Sequence, residues 1–123
     1  MDLPAGQSTG KDESFPKSSR ILKREVFRKV YENGKKFQAK YFTAFTLFNQ
    51  ENNDPRIGIT VTRRVGKSVQ RNRCRRLVRE VFRKNKWRVP HGVDIVINVK
   101  TALLNAGYQE LESDFIGFLE RSK

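Results

Sequence analysis

One segment constrains this chain more than any other: SVQRNRCRRLVREVFRKNK, Ser68 to Lys86. Laid on a helical wheel at about 100° per residue, Cys74, Leu77, Val78, Val81 and Phe82 fall within an arc of roughly 140°. Arg75, Arg76, Arg79, Arg83 and Lys86 fill most of the opposite side. A helix of this kind must bury one stripe and cannot bury the other, because uncompensated charge does not leave water. Any fold open to the chain has to supply an apolar surface under this helix and leave its outer face accessible.

The outer face is more cationic than solubility requires. From Arg56 to Pro90 there are 13 Lys and Arg residues and one acid, Glu80. The last 17 residues carry four acids and two bases, so the charge is concentrated rather than spread. Solvated helix faces usually mix signs, because opposite charges four residues apart stabilise a helix and like charges oppose it. Arg75–Arg79 and Arg79–Arg83 are like pairs at that spacing, each costing a few tenths of a kcal/mol. Arginine also presents a planar fork that bonds phosphate through two N–H groups. With 26 Lys and Arg against 13 Asp and Glu, a net charge of +13 and a pI near 10.4, the chain attracts polyanions. Nucleic acid is the first candidate partner and an anionic membrane surface the second.

Other chemistries fail on count or spacing. Gly66-Lys67-Ser68 looks like the end of a phosphate-binding loop, but the Gly that should open such a loop is replaced by Val61 inside a strand-like run. The single Cys74 forms no internal disulfide, and the single His91 excludes a His pair. Asp94 and Glu80 are isolated acids, and nothing resembles a paired-carboxylate or Ser-His arrangement. There is no apolar run of bilayer length and no secretory h-region at the N-terminus, which leads us to expect a cytoplasmic protein with no membrane partner.

Residues 1–14 read as a disordered tail ahead of one domain, 15–123. ILKREVFRKVYENG predicts a helix of about three turns, with Leu22, Val26 and Val30 in one row and Phe27 and Tyr31 in another. Gly34 is placed to end it in a left-handed conformation. KKFQAKYFTAFTLFNQ reads as a strand with large groups on both faces, Tyr41, Phe45 and Leu47 on one and Phe42 and Phe48 on the other. Either both faces are covered or one lines a binding surface. RIGITVT reads as its antiparallel hairpin partner, WRVPHG as a break with His91 in a turn, and VDIVINV as a central strand. Tyr108, Leu111, Phe115, Phe118 and Leu119 mark a closing amphipathic helix. The order is that of an α+β sandwich, one sheet with helices packed on it.

The run RRVGKSVQRNRCRRLVREVF resembles the signature of the bacterial ribonuclease P protein component, whose hallmark is an Arg-Asn-Arg core followed by basic and apolar residues. FPKSSRILKREVFRKVYENGKKF and RIGITVTRRVG are similar to other segments of that family in the expected order, so the resemblance covers about residues 15–122. Ser68 stands where the family usually has Ala and Cys74 where it has an aliphatic residue; both are small, and Cys behaves as a small hydrophobe. The resemblance implies a two-layer α+β sandwich, a mixed four-stranded sheet with one very short strand, three helices and a left-handed β-α-β crossover (ribosomal protein S5 domain 2-like), against the usual right-handed rule. It implies a protein subunit of a ribonucleoprotein endonuclease that removes the 5′ leader of precursor tRNA. The catalyst is then the RNA subunit, which binds most of the Mg2+; the protein binds that RNA and the leader and raises substrate and Mg2+ affinity, with no catalytic or metal-ligating residue assigned to the polypeptide and no further protein required.

The same resemblance assigns Arg71, Asn72, Arg73, Arg75, Arg76 and Arg79 to the RNA subunit and leader side, with the charge argument supporting Arg75, Arg76 and Arg79 on its own. Arg71 lies at the apolar edge, where bonding a neighbouring group in the first turn is the alternative. Arg63 and Arg64 are expected on phosphate, and Lys67 with them. The leader cleft implied by the family, between first helix and sheet, falls on Phe27, Tyr31 and Phe45; core packing is the alternative for Phe27. A structural, ribosomal-type RNA-binding protein would share the basic helix without an exposed cleft, so fully buried Tyr31 and Phe45 would favour it. A DNA-binding helix-turn-helix wants a short helix, not strands, beside the recognition helix. A self-contained nuclease would cleave RNA without an RNA subunit.

Overall fold

The alternation of apolar and polar residues, and the places where it fails, organise the fold. The structure, a computed structural model, describes residues 20–21, 23–48 and 54–122; the expected tail and Leu22 lie outside them. Three helices, α1 (Arg24–Asn33), α2 (Ser68–Lys84) and α3 (Tyr108–Arg121), accompany four strands, β1 (Lys35–Gln38), β2 (Phe42–Phe48), β3 (Arg56–Thr60) and β4 (Val93–Val99). The sheet order is β1-β2-β4-β3. β4 is antiparallel to β2 and parallel to β3.

Two pairings depart from the sequence reading. The stretch that reads as one strand is a hairpin, β1 and the longer β2, bent at Ala39–Tyr41. The bend is held by distant groups: the Tyr41 N–H donates to Asp114 Oδ2 at 2.8 Å, and Lys100 Nζ donates to the Ala39 carbonyl at 2.7 Å. No local pattern encodes these contacts. Tyr41 accordingly sits in the bend and joins the large core, rather than sharing the face of Phe45 and Leu47. Nor do β2 and β3 form the expected hairpin, because β4 lies between them. Six of the seven β4 residues are buried, so β4 belongs at the centre and the flanking strands take its two sides. The path β3–α2–β4 is therefore a crossover between adjacent parallel strands.

Each sheet face has its own cover. Phe42 and Ala44 of β2, Ile57 of β3 and Ile95 and Ile97 of β4 pack with Cys74, Val78, Val81 and Phe82 of α2 and Leu111, Phe115 and Phe118 of α3. This is the main core, and the apolar stripe of α2 goes where its pattern requires. The alternate residues, Val96 of β4 with Phe45 and Leu47 of β2, face the other way and meet Ile21, Val26, Phe27 and Val30. Among the described residues, helix α1 thus covers part of the second face.

Gly34 does end α1, but in extended backbone, φ −84°, not in a left-handed conformation. Its constraint is space. A Cβ there would sit 2.5 Å from the carbonyl oxygens of both Thr46 and Val30. Only glycine lets the chain pass this close to β2 on its way into β1. Helix α2 stops at Lys84, two residues short of the expected Lys86, because Asn85 leaves helical geometry and turns its amide onto the Val81 carbonyl and Glu112. Lys86 then opens a short 3-10 turn, Lys86–Arg88. No helix among the described residues is long and apolar enough to cross a membrane.

Candidate nucleic-acid interface

The face beneath α1 is built in three rows, fixed by strand register and the period-2 alternation. In the first, Arg56 and Asp94 are register partners, and Arg56 Nε and Nη2 each donate to Asp94 at 2.8 Å. Asp94 is 2% exposed, so this bidentate pair neutralises a buried carboxylate. The second row is Gly58, Val96, Phe45 and Lys36. Phe27 of α1 lies directly on Gly58; a Cβ at that position would be 2.6 Å from the Phe27 ring. The third row is polar: Thr60, Asn98, Thr43 and Gln38.

Tyr31 marks the border between covered and open sheet. Its ring meets Phe45 edge to face, centroids 4.9 Å apart. Its hydroxyl donates to Asn98 Oδ1 at 2.8 Å and lies 3.2 Å from Thr60 Oγ1. The ring is therefore held at one angle while remaining 37% exposed. Lys36 Nζ stands 6.0 Å from the Phe45 ring. Of the three expected cleft residues, Tyr31 and Phe45 come together at the open edge. Phe27 is half-buried, and its ring serves to seat α1 on Gly58. Asn98 and Thr60 do not stand out in the sequence. The single Asn in VDIVINV is a signal, but its partnership with Tyr31 depends on the β3–β4 pairing.

The cationic side chains lie along α2 and at its entry. Arg63 and Arg64 form an exposed 3-10 turn after β3, and Lys67 precedes α2, all at the end of the sheet that carries the polar row. The Lys67 N–H donates to Gln70 Oε1, which starts the helix. Arg71 Nη2 donates to Ser68 Oγ at 3.1 Å, while its Nε is buried without a hydrogen-bond partner among the described residues. Arg75 Nη1 donates to Asn72 Oδ1 at 3.0 Å. Arg73 is turned differently: Nη2 donates to the Ala106 carbonyl at 2.8 Å, bracing α2 against the segment that leads into α3. Arg63, Arg64, Arg76 and Arg79 make no ion pair with a carboxylate among the described residues.

Charge crowding is greatest at Arg79. Partial desolvation, followed by the cations of Arg20 and Arg75, pulls its pKa below the usual guanidinium range. Arg20 itself runs beside the edge strand, bridged to Ile57, so the ridge of α2 approaches the β3 edge of the sheet. Cys74, by contrast, has its thiol pKa pushed up by burial, with Arg73 and Arg75 opposing, and is a core group. The arrangement offers two surfaces of different chemistry: an open row of guanidinium groups suited to phosphates, and a half-open aromatic edge over amides and hydroxyls suited to bases.

Comparison with known proteins agrees on one family. The family model described as Ribonuclease P matches residues 15–123. The chain is 38% identical over 103 residues to the ribonuclease P protein component of Alkaliphilus oremlandii, covering 84% of this chain and 90% of that one. It is 42% identical over 86 residues to that of Thermotoga maritima, covering 69% and 72%. Among solved structures, the RNase P protein from Thermotoga maritima superposes with a TM-score of 0.75 at 32% identity, covering 83% of this chain and 96% of that one. A Staphylococcus aureus RNase P protein mutant with defective mRNA degradation activity gives a TM-score of 0.80 at 26% identity, covering 86% and 89%.

Proposed function

The chain belongs to the ribonuclease P protein component family, and is thereby a component of the ribonucleoprotein nuclease that acts in tRNA processing; from this premise we propose that it binds the catalytic RNA through α2 and the 5′ leader of precursor tRNA through the Tyr31–Phe45 edge. The observation that carries the proposal is the half-open Tyr31, exposed and yet fixed by Asn98. A ring held at one angle beside solvent offers a preset face for stacking a base.

The division of labour follows from chemistry. Arg75, Arg76 and Arg79 take phosphates of the RNA subunit, each displacing condensed counterions. Arg63, Arg64 and Lys67 stand at the polar-row end and take the leader backbone where it leaves the cleft. Within the cleft, Tyr31 stacks a base and Phe45 supports it from the edge. Stacking tolerates any base, as required of a subunit serving many precursors. Arg71 and Asn72 hold the first turns of α2 in place for RNA, and Arg73 acts chiefly by fixing the helix on Ala106.

Hydrolysis by the ribonucleoprotein is assigned to the RNA subunit with Mg2+. The protein donor set does not fit a resident metal: among the described residues no three His, Cys, Asp or Glu stand together, and the Asp94 carboxylate receives two N–H groups from Arg56. By fixing phosphates of the RNA subunit, Arg75, Arg76 and Arg79 would order the RNA sites that hold Mg2+ and so raise metal affinity indirectly.

The test is Tyr31→Ala in the reconstituted ribonucleoprotein. We expect affinity for precursor tRNA to fall roughly 5- to 150-fold, equivalent to the loss of about 1–3 kcal/mol of stacking. Affinity for mature tRNA, which has no leader, should hold. Equal losses for both substrates would remove the cleft from the leader path. The alternative of a purely structural, ribosomal-type RNA-binding protein has no need of a fixed exposed ring, and predicts no such difference.

A further inference from the structure

Four large apolar side chains are exposed among the described residues: Tyr31, Phe48, Val69 and Trp87. Tyr31 belongs to the cleft. Trp87 is different from the other three in carrying a stacked cation. It lies in the 3-10 turn Lys86–Arg88 after α2 and is 75% exposed. The Arg88 guanidinium sits over its indole, 4.3 Å from the ring centroid.

That stack is fixed from below. Arg88 Nε donates to Asn85 Oδ1 at 3.1 Å. Asn85 is 4% exposed, and its amide donates to the Val81 carbonyl at 2.8 Å and to Glu112 Oε2 at 2.9 Å. Tyr108 donates to the same Glu112 oxygen at 3.0 Å. A buried amide thus ties the Arg88 side chain to both α2 and α3. With one face of the indole under Arg88, the other is open to solvent. The surrounding sequence is basic: Arg83, Lys84, Lys86 and Arg88 occur between residues 81 and 93 with no acid.

We propose that Trp87 and Arg88 form a second RNA-binding site, which stacks an unpaired base of the catalytic RNA on the open indole face and takes the adjoining phosphate on Arg88. The charge favours a polyanion over an apolar protein surface, and the lone ring among cations has no apolar neighbours on its own turn for inserting into a lipid layer. Position selects the catalytic RNA over the leader. Arg76 lies about 12 Å from the C-terminal end of α2 at Lys84, and Trp87 follows that end, where the chain turns toward the start of β4, while the polar row of the cleft lies where β4 ends. The site extends the α2 ridge away from the leader path. It rests on the ribonuclease P reading for the identity of its RNA.

Trp87 is the only tryptophan, so its emission reports the site directly. The full-length protein is titrated with transcribed catalytic RNA, with fluorescence and an independent binding signal read together, and then with precursor tRNA alone. Strong quenching that tracks binding of the catalytic RNA is the expected result. Trp87→Ala should weaken that binding roughly 5- to 150-fold with the slope of log affinity against log salt unchanged, because a stacked base releases no counterion. Arg88→Ala should reduce the slope by somewhat under one. Both positions are exposed, and unchanged far-UV circular dichroism would exclude misfolding. Binding with unaltered emission would overturn this site alone. Quenching by precursor tRNA but not by catalytic RNA would overturn the choice of partner. Failure of the unmodified protein to bind catalytic RNA at all would overturn the functional reading and this site with it.

Discussion

At the scale of single residues, the informative groups are polar atoms that fix a ring or a cation in place. Tyr31 is held by Asn98, Arg88 by Asn85, and Arg73 holds α2 by its bond to Ala106. The same physics gives Tyr108 a pH signature. Burial, then its hydrogen bond to Glu112 and the negative charge there, push its phenol up to about 12. An unfolded tyrosine ionises near pH 10. Below that value both states keep the proton and stability is at its full level. Between pH 10 and 12 the unfolded chain loses the proton first, so stability falls as pH rises. Urea denaturation across this range should show a decreasing midpoint, and Tyr108→Phe should flatten the part of the decline due to this group. A decline of the same steepness in Tyr108→Phe would remove Tyr108 as its source.

At the scale of elements, periodicity carries most of the legible information. The stripe of α2, the buried set of α3 and the apolar run of β4 each declare their partner surface, and all three are packed as their patterns demand. Strand pairing is less legible. Whether β2 pairs with β3 or with β4 depends on a competition between three strands, and adjacency in sequence favours a hairpin that the burial of β4 overrides. The bend at Ala39–Tyr41 depends on Asp114 and Lys100, far along the chain. Gly34 is well placed for a stop, but its requirement is the close approach of Thr46, which no local pattern contains. For the site, the cations are visible because charge needs no partner to be read. Asn98 and Thr60 are not, because their role exists only once β3 lies beside β4. In the proposed function, the element that bears most on binding is α2. Replacing Arg75, Arg76 and Arg79 together by Ala should weaken catalytic RNA binding and lower the salt slope by somewhat under one for each phosphate no longer neutralised. Titrations at several salt concentrations measure this, and a slope equal to that of the unmodified protein would deny these guanidinium groups their phosphates.

At the scale of the whole molecule, the sheet separates two tasks. One face buries the main core under α2 and α3, so the outer side of α2 is free to be a cationic ridge. The other face is only partly closed by α1, leaving an aromatic edge above a polar row. Arg63, Arg64 and Lys67 lie between the end of β3 and the start of α2, and so connect the two surfaces along the chain. On the proposed function, the polypeptide binds two RNAs and leaves bond breaking to the RNA subunit. The most direct measurement is cleavage of precursor tRNA at low Mg2+ by the protein alone, the catalytic RNA alone, and both together. We expect no cleavage by the protein, slow cleavage by the RNA, and rapid cleavage by the two combined. Leader removal by the protein alone, or a rate for the RNA that the protein leaves unchanged, would contradict this division of tasks.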